Sequence, residues 1–177
     1  MLIKNGLRLS SLILLFAISC SSPTQFHTRS ISSHFQMDLA DYLAETHTMN
    51  ADAVLQLENK SKNVYMLVRE NPWEPLRNNE SSLINPLEAY YLTSAQQILG
   101  TDKGITIPDS IQINGLPALQ GTLAHNFDGE EIVYELVLVE GKSFLYQILA
   151  WTLSENYEKH QGDLRKMIAS FSEIDKS

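Results

Sequence analysis

Apolar residues in the second half of the chain fall in runs that leave no polar face. In residues 131–139 (EIVYELVLV), Ile132, Tyr134, Leu136 and Leu138 point to one side of a strand, and Val133, Val137 and Val139 to the other. Over residues 143–151 (SFLYQILAW), Phe144, Tyr146 and Ile148 oppose Leu145, Leu149 and Trp151. A sheet with one wet face alternates apolar with polar, so strands of this pattern are covered on both sides. Two helical covers are encoded. Asn85 can cap a helix that starts at Pro86, with Glu88 three residues after the cap and Gly100 as its stop. Leu87, Tyr91, Ala95 and Ile98 share the inner face of that helix. Near the C-terminus Leu164, Met167, Ile168 and Phe171 follow helical spacing, with Gly162 weakening the start of that helix or marking where it begins.

The remaining pattern supplies strands. HFQMDL (34–39) reads as a first short strand, and DYLAETHTMN (41–50) as a short helix or turn. DAVLQLEN (52–59) and NVYMLVRE (63–70), β-branched and aromatic around a polar KSK, predict a hairpin. Residues 71–84 hold two prolines and three asparagines and read as an irregular loop. ITIPDSIQI (105–113) and LPALQGTLAHN (116–126) flank Asn114-Gly115, a strong hairpin signal, and Asp128-Gly129 and Gly141-Lys142 introduce the last two strands. The fold class that follows is α+β: an α/β/α sandwich with a central antiparallel sheet flanked by helices.

The N-terminus follows a different logic. Lys4 and Arg8 give a positive leader, residues 12–18 an apolar core, and small Ser19 precedes Cys20, the single cysteine. The core is short of the roughly 20 apolar residues that span a bilayer, so it reads as an export signal. The string LFAISC resembles a bacterial lipobox, with Ala17 where leucine is commonest. That resemblance implies cleavage before Cys20 and lipid on its sulfur, which leaves no thiol for chemistry or disulfides. An ordinary signal peptide with an incidental cysteine is the alternative. Since a single acyl chain anchors only marginally and two anchor stably, Cys20 would be a tether to the membrane. The expected organisation is a signal peptide at 1–19, a Ser/Thr-rich flexible tether at 20–33 and one domain at 34–177. The location implied is the bacterial cell envelope, at the outer membrane facing the periplasm for a Gram-negative source.

Charge narrows the partners. Removal of Lys4 and Arg8 with the signal takes the formal net charge from −8 to −10. An acidic domain repels phosphate backbones and anionic lipid surfaces, so neither nucleic acid nor an anionic lipid surface is an expected partner.

The run from INGLPALQG through GKSFLYQILAW to DLRKMIASF resembles the PsbP-like family, and NADAVLQLENKSKNVYMLVRE (50–70) resembles its early paired strands. The resemblance covers most of residues 34–174 and implies an α/β/α sandwich on an antiparallel sheet. Its members include extrinsic photosystem II proteins, a nuclear-import factor that binds the GTPase Ran, and bacterial envelope proteins. It carries no catalytic residues to transfer, and it implies a scaffold for protein contacts; fold alone does not fix function.

Candidate chemistry is sparse. His125, Asp128, Glu130 and Glu131 gather around one turn, which would suit a divalent cation, though a solvated hairpin turn is the simpler account. The five histidines are scattered and no Gly-x-Ser-x-Gly elbow occurs. No cofactor is expected. Trp73 stands among prolines and charges in the irregular loop. Large aromatics are mostly buried, yet an exposed Trp73 beside Glu74 and Arg77 would be an anchor for an envelope protein partner. A non-catalytic protein-binding or assembly module is therefore the leading expectation. A hydrolase with a spatially assembled site, or a carrier of a small apolar ligand, are the alternatives.

Overall fold

Strands that are apolar on both faces need two covers, and the chain supplies them from opposite sides of one sheet. The computed structural model describes residues 23–73, 85–100 and 104–174. The strands are β1 (Phe26–Ile31), β2 (Phe35–Ala40), β3 (Ala44–Glu45), β4 (Ala53–Asn59), β5 (Val64–Pro72), β6 (Asp109–Ile113), β7 (Leu116–Phe127), β8 (Glu130–Glu140), β9 (Phe144–Leu153) and β10 (Ser172–Glu173). The helices are α1 (Pro86–Leu99) and α2 (Ser154–Ala169). Seven strands form the main sheet in the order β3-β4-β5-β9-β8-β7-β6, and β1-β2-β10 form a small second sheet. Every pairing is antiparallel. The fold is α+β, as the pattern predicts.

α1 covers one face. Leu87, Tyr91, Ala95 and Leu99 pack with Leu119, Leu123, Leu136, Leu138, Leu145 and Trp73. Asn85 caps it, its side chain accepting from the Leu87 N–H at 2.9 Å. The small sheet and α2 cover the other face, where Phe35, Met37, Leu164, Met167 and Phe171 meet Met66, Val137, Val139 and Ile148. Phe171 is fully buried, its ring 5.1 Å from that of Phe35 and 4.8 Å from that of Tyr146. Emptying such a site typically costs about 3–5 kcal/mol.

The two-residue turns at Asn114–Gly115 (φ 48° and 85°) and Asp128–Gly129 (φ 51° and 87°) have the positive φ pair of a type I′ hairpin. Asn114 also closes the end of α2, donating to the carbonyls of Ala169 (3.2 Å) and Phe171 (2.7 Å).

Several sequence expectations need correction. Residues 26–31 are a strand, β1, paired along its length with β2, so the ordered domain starts ahead of residue 34 and the flexible tether cannot reach residue 33. Residues 41–50 hold no helix, only turns and β3. The 105–113 strand begins at Asp109, because Pro108 has no N–H to donate to a ladder. α2 starts at Ser154, so Gly162 lies inside it on the exposed side, and Phe171 packs just beyond its end. No helix among the described residues is long and apolar enough to cross a membrane. The signal segment and Cys20 lie outside the described residues.

Candidate functional site

Two chain reversals and a short strand meet at one end of the sandwich: the β1–β2 turn, the β8–β9 turn and β10. Ser32 (φ 49°) and Ser33 (φ 59°) form the first turn in the left-handed region, where a non-glycine residue is held at a cost of about 1–3 kcal/mol each. Glu70, at the end of β5, holds that turn. Ser32 Oγ donates to Glu70 Oε1, with the Ile31 carbonyl, 2.8 Å away, as the competing acceptor. His34 Nδ1 lies 3.0 Å from Glu70 Oε2. The Glu70 side chain is only 8% exposed, whereas that of His34 is 32% exposed. One carboxylate thus orients both a hydroxyl and an imidazole.

The His34 ring stacks on Phe144 at 4.6 Å and 26°. Behind them Tyr146 Oη donates to Glu173 Oε1 at 3.1 Å, and the same carboxylate accepts the Lys142 backbone N–H at 3.1 Å. Burial raises the Tyr146 pKa, and the charge and hydrogen bond of Glu173, then the charge of Glu70, raise it further. Gly141 is required by crowding: a Cβ there would lie 2.5 Å from Glu173 Oε1 and 2.6 Å from Tyr146 Cε2. His34, Lys142, Ser143, Phe144, Tyr146, Glu173 and Ile174 line an open recess of about 280 Å³. It presents an aromatic pair, an imidazole with Nε2 turned from Glu70, and the exposed Lys142.

Trp73 leads out of β5 beside this recess, but it is core. It is 3% exposed, donates its backbone N–H to Ser143 O (3.0 Å), and places Nε1 3.3 Å from Glu140 Oε1. The exposed-anchor expectation for Trp73 therefore fails: the indole gains more from the apolar layer under α1 than from solvent. Glu74 and Arg77 lie outside the described residues. His125, Asp128 and Glu130 line the β7–β8 hairpin, and no three His, Cys, Asp or Glu among the described residues are placed to hold a metal ion. The strand pairing runs His125 opposite Ile132 and sets Asp128 at the tip, which spreads the three along the hairpin.

A second polar cluster went unread in the sequence. Glu135, in the middle of β8, is fully buried. Its Oε1 accepts from Tyr157 Oη and from Arg165 Nε (3.0 Å), with Arg165 Nη2 at 2.9 Å. Its Oε2 accepts from Gln120 Nε2 (3.2 Å) and Thr122 Oγ1 (3.3 Å). Burial opposes the charge of Arg165, but Glu135 outweighs it and holds the guanidinium pKa above its ordinary value. With its lone pairs occupied, this carboxylate clamps α2 to the sheet rather than offering a site for substrate. The available signal was a single acid inside an apolar run.

No family model matches the sequence, and no curated protein does. Solved structures do match in fold. LpqN, involved in cell envelope biogenesis of Mycobacterium tuberculosis, gives a TM-score of 0.56 at 11% identity, over 87% of this chain and 93% of that one. The Saccharomyces cerevisiae Ran-binding protein Mog1p gives 0.55 at 9% identity, over 86% and 97%. The cyanobacterial PsbP of Synechocystis, CyanoP, gives 0.51 at 9%, over 92% and 99%. At these identities the likeness is one of fold. The chain has the PsbP/Mog1 fold.

Proposed function

We propose that the chain is a bacterial envelope lipoprotein, cleaved before Cys20 and anchored by lipid on that residue. Its domain is a non-catalytic module that binds or assembles a protein partner at the recess around His34 and Phe144. The observation that carries this reading is the order of contacts at Glu70. In a hydrolytic triad the imidazole stands between hydroxyl and carboxylate, and so takes the proton of the nucleophile. Here the carboxylate stands between Ser32 and His34, which fixes the turn and leaves the hydroxyl unactivated. A rigid, half-exposed aromatic pair on a buried scaffold loses little entropy when a partner covers it.

The anchor is supported by the positive leader, the apolar core and LFAISC. The binding role is supported by the fold shared with a protein described as Ran-binding, and the envelope setting by the fold shared with LpqN. Intact-mass analysis of membrane-extracted protein tests the anchor: a chain starting at Cys20 with added acyl mass is expected, and an unmodified thiol would contradict it. Capture from envelope extract tests the module. A partner retained by the native protein should be lost with His34→Ala and Phe144→Ala at an unchanged thermal midpoint. Retention by both variants would remove the recess from the account.

A further inference from the structure

The two edges of the main sheet are finished differently. At the β3 edge, β4 is covered: Gln56 O accepts the Thr46 N–H at 3.0 Å, and the Gln56 side chain accepts the N–H groups of Met49 (2.8 Å) and Asn50 (3.1 Å). At the other edge, β6 pairs with β7 alone among the described residues. The turn decides which of its backbone groups point outward. A two-residue loop at Asn114–Gly115 makes Ile113 and Leu116 a hydrogen-bonded pair, and bonded and unbonded pairs alternate from there. Ile111 with Ala118 and Asp109 with Gln120 therefore exchange bonds, whereas Gln112 opposite Pro117 and Ser110 opposite Leu119 do not. Pro117 fits its position, having no N–H to give. The N–H and C=O of Ser110 and Gln112 are thus left facing away from β7, a template for one more strand.

Beside that edge lies room for the side chains of such a strand. An open groove of about 370 Å³ lies between β6 and the last turns of α2, with Ile111, Ile113, Ile168 and Ala169 as its apolar lining and Gln120 and Arg165 as polar members. Asp109, Ile111 and Ile113 share one face of β6, because side chains alternate along a strand. Ile111 is half-buried, and Ile107, just ahead of the strand, is 88% exposed. Arg165 is already held by the buried Glu135 at 2.9 Å. Asp109 is exposed and has no ion-pair partner among the described residues.

We propose that the free edge of β6 takes an extended segment of a partner protein by strand addition, antiparallel like every pairing in the sheet. Apolar side chains of that segment stand opposite Ile111 and Ile113, and a Lys or Arg stands opposite Asp109. Backbone bonds to Ser110 and Gln112 supply the grip, and the groove selects the side chains. A second copy of the chain is the poorer occupant. Its own β6, paired about Ile111, sets Asp109 against Ile113 and brings no base. Two molecules of formal charge −8 also repel each other. The groove shares no lining residue with the recess at His34 and Phe144, so this surface stands independently of that one.

The probe is the blocked peptide acetyl-Thr-Val-Thr-Val-Thr-Lys-Thr-amide. In antiparallel register it sets its valines opposite Ile113 and Ile111 and its lysine opposite Asp109. The full chain in mild detergent is titrated with this peptide and followed by backbone amide NMR. The Ser110 and Gln112 amides should shift and become protected from hydrogen exchange. Glutamate in place of the peptide lysine should weaken binding about threefold. The peptide N-methylated at its third and fifth residues has lost the N–H groups that face β6, and should shift neither amide. Gln112→Pro removes an outward donor that the sheet itself does not use. It should weaken binding about tenfold at an unchanged thermal midpoint, whereas Gln112→Ala should bind as the native chain does. No shift of Ser110 and Gln112 up to the solubility limit, or equal shifts with the N-methylated peptide, would overturn the proposal whether or not Gln112→Pro folds. A dimer in sedimentation that is lost in Gln112→Pro would give the edge to a second copy and overturn it as well.

Discussion

Glu135 occupies a strand position that the pattern of its neighbours assigns to an apolar residue, and the energetics of burial explain its company. A buried carboxylate must find donors, and Tyr157, Arg165, Gln120 and Thr122 supply them. Glu135→Ala leaves those donors facing a void and should lower the unfolding free energy by roughly 3 kcal/mol in urea titration. A loss under about 1 kcal/mol would show that the clamp carries no stability. Tyr91 makes a second test at this scale. It is fully buried, its hydroxyl has no partner among the described residues, and a Cβ on Gly121 would lie 1.9 Å from that oxygen. Gly121→Ala should thus destabilise by about 1–3 kcal/mol, and Tyr91→Phe should relieve part of that loss. Burial, with the charges of Glu135 and Asp109, raises the Tyr91 pKa from 10.0 to about 12. Between those values the unfolded chain has lost a proton that the folded one keeps. Stability is therefore intact below pH 10 and falls above it, by up to about 1.4 kcal/mol per pH unit for this group. Denaturant midpoints at rising pH should show a shallower alkaline decline in Tyr91→Phe than in the native chain.

Elements with local chemistry were legible, and those sustained from a distance were not. Asn85-Pro86, Asn114-Gly115 and Asp128-Gly129 each dictate a cap or a turn through neighbouring atoms, so α1 and both hairpins stand where the sequence puts them. β1 has only Phe26, Arg29 and Ile31 turned from solvent, and it is a strand because β2 offers its edge. Its Ser/Thr content reads as a tether until that partner is seen. The first turns of α2 are polar, with His160 as the buried residue before Leu164, so helical spacing reveals only the second half of this helix. The recess escaped notice for the same reason: Ser32, His34, Glu70, Phe144 and Glu173 come from four separate segments. A chain beginning at Pro23 should match the full-length domain in stability. A chain beginning at His34 loses β1 and the burial of Ile31, and should be weaker by about 2 kcal/mol or more in chemical denaturation. Equal stability of the two would return residues 23–33 to the tether.

The whole molecule has two ends with different chemistry on one rigid sheet. The chain entry lies at one end, tied to α2 through Thr24 and Phe26. At the other, a carboxylate-braced aromatic pair borders an open recess, with Trp73 locking the adjacent strand end into the core. The fold is common to proteins of different tasks, so the assignment rests on the recess, which supports the binding of a protein partner. The most direct measurement places a photo-crosslinking phenylalanine analogue at position 144 in the recess, or at Thr93 on the exposed side of α1, in the protein within its native cells. The account predicts a discrete protein adduct from position 144 and none of that mass from position 93. No adduct from position 144, or the same adduct from both positions, would contradict it.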